Sequence, residues 1–216
     1  MESRRRAPRA DTGSGSRGGS YAPEETRKGL MESALELFDQ NGYHATSVDA
    51  IVVAAGMTKG AFYHHFESKE DVLLQIQEEY IDNRLQNCQG ILEMTDDPLE
   101  RLRMLISEAM IGIDQFRPQV AIFFQERRFL RGDRFASIKE KRDAVDSIYE
   151  SVVRAGIQSG VIDARFHPRI ASFGILGMCA WAFNWYRSSG ALSVETIADE
   201  LSAMVLLGLA PRDQPS

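Results

Sequence analysis

The sequence predicts an all-α fold. Apolar residues recur at three- and four-residue spacing through most of the chain, as they do along the buried stripe of a helix. Pro, Gly and small polar residues interrupt these stretches where helices begin and end, and no alternating run bounded by hairpin turns favours a strand. The composition is that of an ordinary globular protein, 44% hydrophobic and 26% charged over 216 residues, which is enough to bury a sizeable core.

Residues 1–20 are predicted to form a disordered basic tail. They begin with Arg4, Arg5, Arg6 and Arg9 and continue into a run of Gly and Ser that cannot bury apolar surface. No apolar segment follows the arginines, so a signal peptide is not expected. The two cysteines have no metal-binding spacing and fit a reducing compartment, which favours a cytoplasmic protein.

Two helices are predicted after the tail. The first begins at Pro23 and ends near Asn41-Gly42, a pair that tolerates the left-handed conformation of a helix end. Its apolar stripe contains Leu30, Ala34, Leu37 and Phe38. The second is short and is predicted to start at Thr46, with Asp49 three residues later as in a capping box.

Two further helices follow the sharp turn permitted by Gly56. Thr58 is the expected cap of a short third helix, Lys59 to His65. Ser68 is the expected cap of a fourth, which has acids in its first turn and runs to Cys88 or beyond. The rest of the chain is predicted to form five helices, at about 98–115, 117–130, 134–159, 167–187 and 193–209.

Two short helices joined by a tight Gly-containing turn are typical of a helix-turn-helix. The stretch Thr46 to Phe66 reads TSVDAIVVAAGMTKGAFYHHF, and the segment from about Arg27 to Leu74 resembles the DNA-binding domain of the TetR family of repressors. The residues that carry this resemblance are Ala34, Phe38, Gly42, Tyr43, Thr46, Ser47, Val48, Ile51, Ala54, Ala55, Gly56, Thr58, Gly60, Tyr63, His65, Phe66, Lys69 and Glu70.

The resemblance implies a three-helix DNA-binding domain at residues 21–68 and a larger helical ligand-binding and dimerisation domain at residues 69–210. The third helix would lie in the major groove and present its N-terminal residues to base edges. The expected DNA contacts are Thr46, Ser47, Thr58, Lys59, Gly60, Tyr63, His64 and Lys69. For single residues a purely structural role remains the alternative, because Thr46 and Thr58 would cap helices in any protein and Tyr63 could cover apolar surface.

The charge of the chain argues against a general DNA-coating role. The formal net charge is −6, and acids outnumber bases between Tyr21 and Ser68. A site-specific reader remains compatible with this charge, because base readout needs only a few well-placed side chains. We expect the arginines of the tail to compensate by lying in a neighbouring minor groove.

The segment from Ile170 to Tyr186 is apolar on nearly all sides, which is typical of a central helix or a membrane span. The run is shorter than a span needs and contains Asn184, so burial on two sides is favoured, with a second subunit covering one of them. In the TetR family the last two helices usually form the dimer. The residues expected in this interface are Gly174, Gly177, Met178, Leu201, Met204 and Val205.

The middle helices are rich in aromatic residues and Met, which indicates either ordinary core or an apolar pocket with a few polar groups. The residues expected to bind a ligand are Met110, Phe123, Phe124, Arg128, Tyr149, Trp181, Asn184 and Trp185. Trp185-Tyr186-Arg187 followed by Gly190 resembles a segment of TetR-family regulators of lipid or sterol catabolism, which respond to acyl-CoA thioesters. That resemblance implies that Arg127, Arg128 or Arg131 meets the nucleotide phosphates, although a solvated helix face explains them equally.

The sequence therefore predicts a homodimeric transcriptional repressor that leaves a palindromic operator on binding a small apolar or acyl-CoA-type effector. No enzyme activity, cofactor or metal is expected, since the histidines lack ligand spacing and no catalytic signature is present. An activator, or a helical regulator without a small-molecule ligand, remains the alternative.

Overall fold

The structure is a computed structural model that describes residues 23–126 and 132–211. Within those ranges the chain forms nine α-helices and no strand, which confirms the all-α prediction. The predicted basic tail and Arg127, Arg128 and Arg131 lie outside the described residues. The helices are α1 (Pro23–Asn41), α2 (Val48–Ala54), α3 (Lys59–His65), α4 (Lys69–Met94), α5 (Pro98–Gln115), α6 (Arg117–Glu126), α7 (Gly132–Gln158), α8 (Pro168–Trp185) and α9 (Val194–Leu209).

Helices α1 to α3 form a small bundle around aromatic and aliphatic side chains. Its turns contain Gly42 and Gly56, whose φ angles of 83° and 65° lie in the left-handed region that favours glycine. Each turn reverses the chain within a few residues, so α2 and α3 can pack on α1. The fully buried residues of the bundle are Leu30, Ala34, Phe38, Ile51, Phe62 and Phe66.

Hydroxyl side chains cap the N-termini of α2, α3 and α4. Thr58 accepts a hydrogen bond from the backbone N–H of Ala61, and Ser68 accepts one from Asp71, as the sequence predicts. The predicted start of α2 was wrong by one residue, because Ser47 rather than Thr46 is its N-cap. The side chain of Thr46 is buried instead, and its hydroxyl does not cap α2.

Helix α4 is 26 residues long and belongs to both halves of the molecule. It extends past the predicted Cys88 to Met94. The amide of Gln77, which is completely buried, donates to the backbone carbonyl of Gln119 on α6 at 2.8 Å. One cluster of buried apolar residues continues from α1 through α4 to α9, so the expected boundary after residue 68 does not separate two cores.

The predicted bounds of α5, α7, α8 and α9 agree with the structure to within two residues. Helix α5 packs against α4, α7, α8 and α9 at the centre of this half. Helix α8 buries Ser172, Ile175, Cys179 and Ala182 on one face. Its exposed large apolar side chains are Ile170, Phe173, Trp181 and Trp185. Among the described helices, none is long and apolar enough to cross a membrane.

Candidate functional site

One face of the small bundle exposes most of the residues expected to contact DNA. Helix α3 buries Phe62 completely, while Tyr63 is 58% exposed. Because Phe62 fixes the helix on the bundle, the exposed side chains project from a rigid support. The exposed residues on and around α3 are Ser47, Thr58, Lys59, Gly60, Tyr63 and His64, and we call this set the recognition surface.

The hydroxyls at the recognition surface can cap and bind at the same time. Ser47 and Thr58 each accept a backbone N–H through an oxygen lone pair, at 3.1 Å in both cases. The O–H of a hydroxyl is a separate donor. Each side chain can therefore donate to a phosphate oxygen without releasing its helix cap.

Lys59 forms an ion pair across the turn between α2 and α3. Its Nζ lies 2.7 Å from Oδ1 of Asp49, and both side chains are well exposed. The hydrogen bond from Lys59 to Asp49, with the attraction between the charges, raises the pKa of Lys59. Lys59 is therefore a cation, and a phosphate or a guanine must compete with Asp49 for it.

Thr46 is buried beneath the recognition surface, which contradicts its expected role as a DNA contact. It is 4% exposed, and its hydroxyl donates to the backbone carbonyls of Gly42, at 2.9 Å, and Leu37, at 3.2 Å. Thr46 thereby ties the end of α1 to the start of α2. A threonine next to a serine at a helix start gives no sequence signal for which of the two is the cap.

Lys69 also differs from its expected role at a phosphate. Its ammonium donates to the carbonyls of Tyr43, at 2.6 Å, and Thr46, at 2.7 Å, and lies 4.4 Å from the centre of the Tyr43 ring. Burial lowers the pKa of Lys69, although the charge of Glu126 opposes that change. The first residue of α4 thus fixes the turn between α1 and α2.

A second link joins this turn to α6. Nε2 of His44 lies 3.0 Å from Oε2 of Glu126, the last described residue of α6. The side chain of Glu126 is only 10% exposed, whereas that of His44 is 68% exposed. No sequence signal pairs two residues so far apart in the chain.

A cavity lies between α4, α5, α6, α7 and α8. Its volume is about 130 Å³, and its wall combines apolar side chains with a few charged ones. Arg84 from α4 and Arg142 and Asp146 from α7 are the charged residues. The other lining residues are Tyr80, Ile81, Ile113, Val120, Phe124, Val145, Leu176 and Ala180.

The expected ligand residues divide into four groups in the structure. Phe124 lines the cavity, and Phe123 packs behind it with the Arg142 guanidinium 3.4 Å from its ring centre. Met110 and Tyr149 are completely buried core, and the Tyr149 hydroxyl donates to the carbonyl of Leu105 at 2.7 Å. Arg128 lies outside the described residues.

Trp181, Asn184 and Trp185 do not line the cavity, which corrects their expected place. Trp181 is 65% exposed and Trp185 is 48% exposed. A run that is apolar on all sides cannot reveal from sequence which residues face the subunit's own core. Sequence analysis also missed Arg84 and Asp146, because a charged residue on an amphipathic helix ordinarily faces water.

The residues expected in the dimer interface lie on or beside an exposed apolar face. Gly174 and Gly177 are exposed, and a Cβ added to either would meet no described atom within 4 Å. Met204 is 67% exposed. Met178, Leu201 and Val205 are partly buried against their own core. We call the exposed set Phe173, Gly174, Gly177, Trp181, Trp185, Met204 and Leu207 the apolar face of α8 and α9.

Comparison with known proteins identifies relatives over both halves. A family model described as "Bacterial regulatory proteins, tetR family" matches residues 30–76, and one described as "Tetracyclin repressor-like, C-terminal domain" matches residues 95–209. The chain is 31% identical over 205 residues to the HTH-type transcriptional repressor KstR2 of Rhodococcus jostii (strain RHA1), covering 94% of this chain and 97% of that protein.

Two solved structures are similar in fold. The ketosteroid transcriptional regulator KstR2 of Mycobacterium tuberculosis has a TM-score of 0.80 and 28% identity, over 86% of this chain and 95% of that one. The regulator AibR, solved in complex with isovaleryl coenzyme A and operator DNA, has a TM-score of 0.75 and 28% identity, over 83% of this chain and 97% of that one.

The contacts of Lys69 predict that its main effect is on stability. Lys69→Met keeps the length of the side chain and removes the charged hydrogen bonds, so the free energy of unfolding should fall by about 1.5–3 kcal/mol. Urea unfolding followed by circular dichroism measures this change. Lys28→Met is the control, because the Lys28 side chain is 75% exposed. Equal stability of the two variants would return Lys69 to the candidate phosphate contacts.

Proposed function

The chain belongs to the TetR family of bacterial regulatory proteins and is a helix-turn-helix transcriptional regulator, and from that premise we propose a homodimeric repressor released from its operator by an acyl-CoA-type effector. We assign DNA binding to residues 21–68 and effector binding and dimerisation to residues 69–210. The observation that carries the proposal is the recognition surface, whose exposed donors stand on a helix fixed by buried Phe62.

Each residue of the recognition surface has a distinct proposed role. Gly60 lacks a side chain, so the start of α3 can approach the duplex closely. Lys59 donates to guanine or to a phosphate. Ser47, Thr58, Tyr63 and His64 donate to phosphate oxygens and fix the orientation of α3 in the groove. Thr46 and Lys69 hold the turn from which this surface is built.

The apolar face of α8 and α9 is the proposed dimer interface. Contiguous exposed apolar surface of this kind marks an interaction site, and the exposed glycines let another helix approach closely. A two-fold axis through this face makes the same residues meet in both subunits. It would present two copies of α3 to successive major grooves, roughly 34–36 Å apart, which suits a palindromic operator.

The cavity is the proposed effector site. Support comes from its mostly apolar wall and from AibR, a similar regulator that binds isovaleryl coenzyme A. The cavity is lined by α4 and α6, and these helices also carry Lys69 and Glu126, which link them to the turn beneath the recognition surface. An effector that fits the cavity only when these helices shift would favour a different conformation of the dimer. In that conformation the two α3 helices would no longer match the spacing of successive major grooves.

Replacement of both Lys59 and Tyr63 by Ala should abolish DNA protection. Each lost contact to a base or phosphate weakens binding about 10-fold or more. DNase footprinting of the region upstream of the chain's own gene, at fixed salt, measures the loss. Lys139→Ala is the control, since Lys139 is equally exposed on α7 and pairs with Asp143. Protection by the double variant equal to that of the unmodified protein would reject the assignment of the recognition surface.

Acyl-CoA should release the protein from this DNA. A typical coupling between two sites lowers affinity about 5–150-fold. The footprint is repeated with isovaleryl-CoA and with thioesters of larger apolar acids, and free coenzyme A serves as the control. If every thioester leaves the DNA affinity unchanged, the effector class is wrong, while the DNA-binding function stands.

Trp181→Asp should convert the protein to a monomer. The substitution would place two carboxylates in an apolar interface, where an unpaired charge is strongly unfavourable. Sedimentation velocity measures the molecular mass. Met94→Asp is the control, because Met94 is 69% exposed on α4, away from α8 and α9. A Trp181→Asp protein that remains dimeric would place the interface elsewhere.

A further inference from the structure

Arg84 has an incomplete set of partners at the wall of the cavity. Its guanidinium Nε is buried, and no described residue offers it an acceptor within hydrogen-bond distance. The nearest carboxylate oxygen, Oε2 of Glu108, is 3.9 Å away, and Nη1 donates to the Tyr80 hydroxyl over a long 3.4 Å. A buried guanidinium is stable only with a close anion or a full set of acceptors.

Glu108 is a weak counter-ion for Arg84. Its carboxylate is also close to the thiol of Cys88, with 3.7 Å between Sγ and Oε2. Burial raises the pKa of Glu108, and the attraction of Arg84 offsets this only in part. The same guanidinium lines both the cavity and a groove between α4 and α5, so a ligand can reach it.

Asp146 faces the same cavity from α7. Burial raises its pKa, whereas the charge of Arg84 acts in the opposite direction. No described hydrogen bond joins them. The guanidinium of Arg142, the other cation of the wall, lies 3.4 Å from the centre of the Phe123 ring and is held there by a cation–π contact. Arg84 is therefore the cation best placed to meet a ligand.

We propose that Arg84 recognises a carboxylate on a compact apolar body, and that Asp146, which lines the same cavity from α7, disfavours that carboxylate. This inference rests on the effector site proposed above and specifies the chemistry of its ligand. The apolar body would lie against Ile81, Ile113 and Leu176, with its carboxylate at the Nε edge of Arg84. Guanidinium and carboxylate match in geometry, and their hydrogen bonds are strengthened by charge.

Two sources of such a carboxylate are distinguished by two pairs of probes. Cyclohexanecarboxylate and its neutral amide, cyclohexanecarboxamide, test a free acid. Glutaryl-CoA and pentanoyl-CoA test a thioester whose acyl chain ends in a carboxylate or in a methyl group. In at least one pair the carboxylate should bind more tightly than its neutral partner, and that pair identifies the source. Isothermal titration calorimetry with the dimeric full chain measures each dissociation constant.

Arg84→Gln should weaken binding of the carboxylate probe about 10- to 100-fold, as loss of a charge-assisted hydrogen bond does, and leave the neutral probe unchanged. Asp146→Asn should have the opposite effect and strengthen carboxylate binding about threefold or more, because a like charge is removed. Asp143→Asn is its matched control, since it removes the same charge from α7 at a position that pairs with Lys139 on the surface. The Asp146 variant tests the proposal even if Arg84→Gln fails to fold.

DNA binding without ligand is measured first on every variant. If the unmodified protein does not bind DNA, the proposed function is refuted. If it binds DNA but shows either of the following two results, only the assignment of Arg84 and Asp146 is refuted. The first result is that the carboxylate and the neutral probe bind equally in both pairs, which would overturn the proposed recognition of a carboxylate. The second result is that neither Arg84→Gln nor Asp146→Asn changes the affinity for the carboxylate probe, which would overturn the proposed roles of these two residues.

Discussion

Helix α4 runs without interruption from Lys69 to Met94, and both halves of the molecule pack against it. At 1.5 Å per residue it is about 39 Å long. Its first residue binds the carbonyls of the turn that supports α3, and its middle forms one wall of the cavity. If an effector binds in the cavity as proposed, a rigid α4 would convert a small displacement there into movement of the recognition surface.

Side-chain contacts hold α4 on several sides along its first half. Arg27 of α1 donates to Gln75 at 2.9 Å and to Glu79 at 2.8 Å. Beside these contacts on α4, Arg134 of α7 pairs with Asp71, and Lys141 lies between Glu78 and Asp82. Exposed ion pairs contribute little to stability one at a time. Their combined effect here is to keep α4 in register with both neighbours, so that α1 and α7 move with it.

The sequence determined the helices better than it determined the site. Caps, glycines and apolar periodicity are local signals, so the bounds of α5 and α9 could be predicted closely. The roles of Thr46, Arg84 and Trp181 depend on the packing of other helices. Thr46 is buried because α1 ends above it, and Arg84 is buried because helices distant in sequence enclose its side chain. The spacing of apolar residues along the sequence predicts neither the burial of Thr46 nor that of Arg84.

In the proposed homodimer, helix α8 would be a second connection between the effector site and the dimer interface. Its inner side contributes Leu176 and Ala180 to the cavity, while its outer side exposes Gly177 and Trp181. These four residues lie within two turns of one helix, so a ligand that displaces Leu176 also displaces the surface proposed to meet the second subunit. Because protein interiors are close-packed, α8 cannot absorb such a displacement locally. The spacing of two α3 helices would then respond through α4 within a subunit and through α8 between subunits.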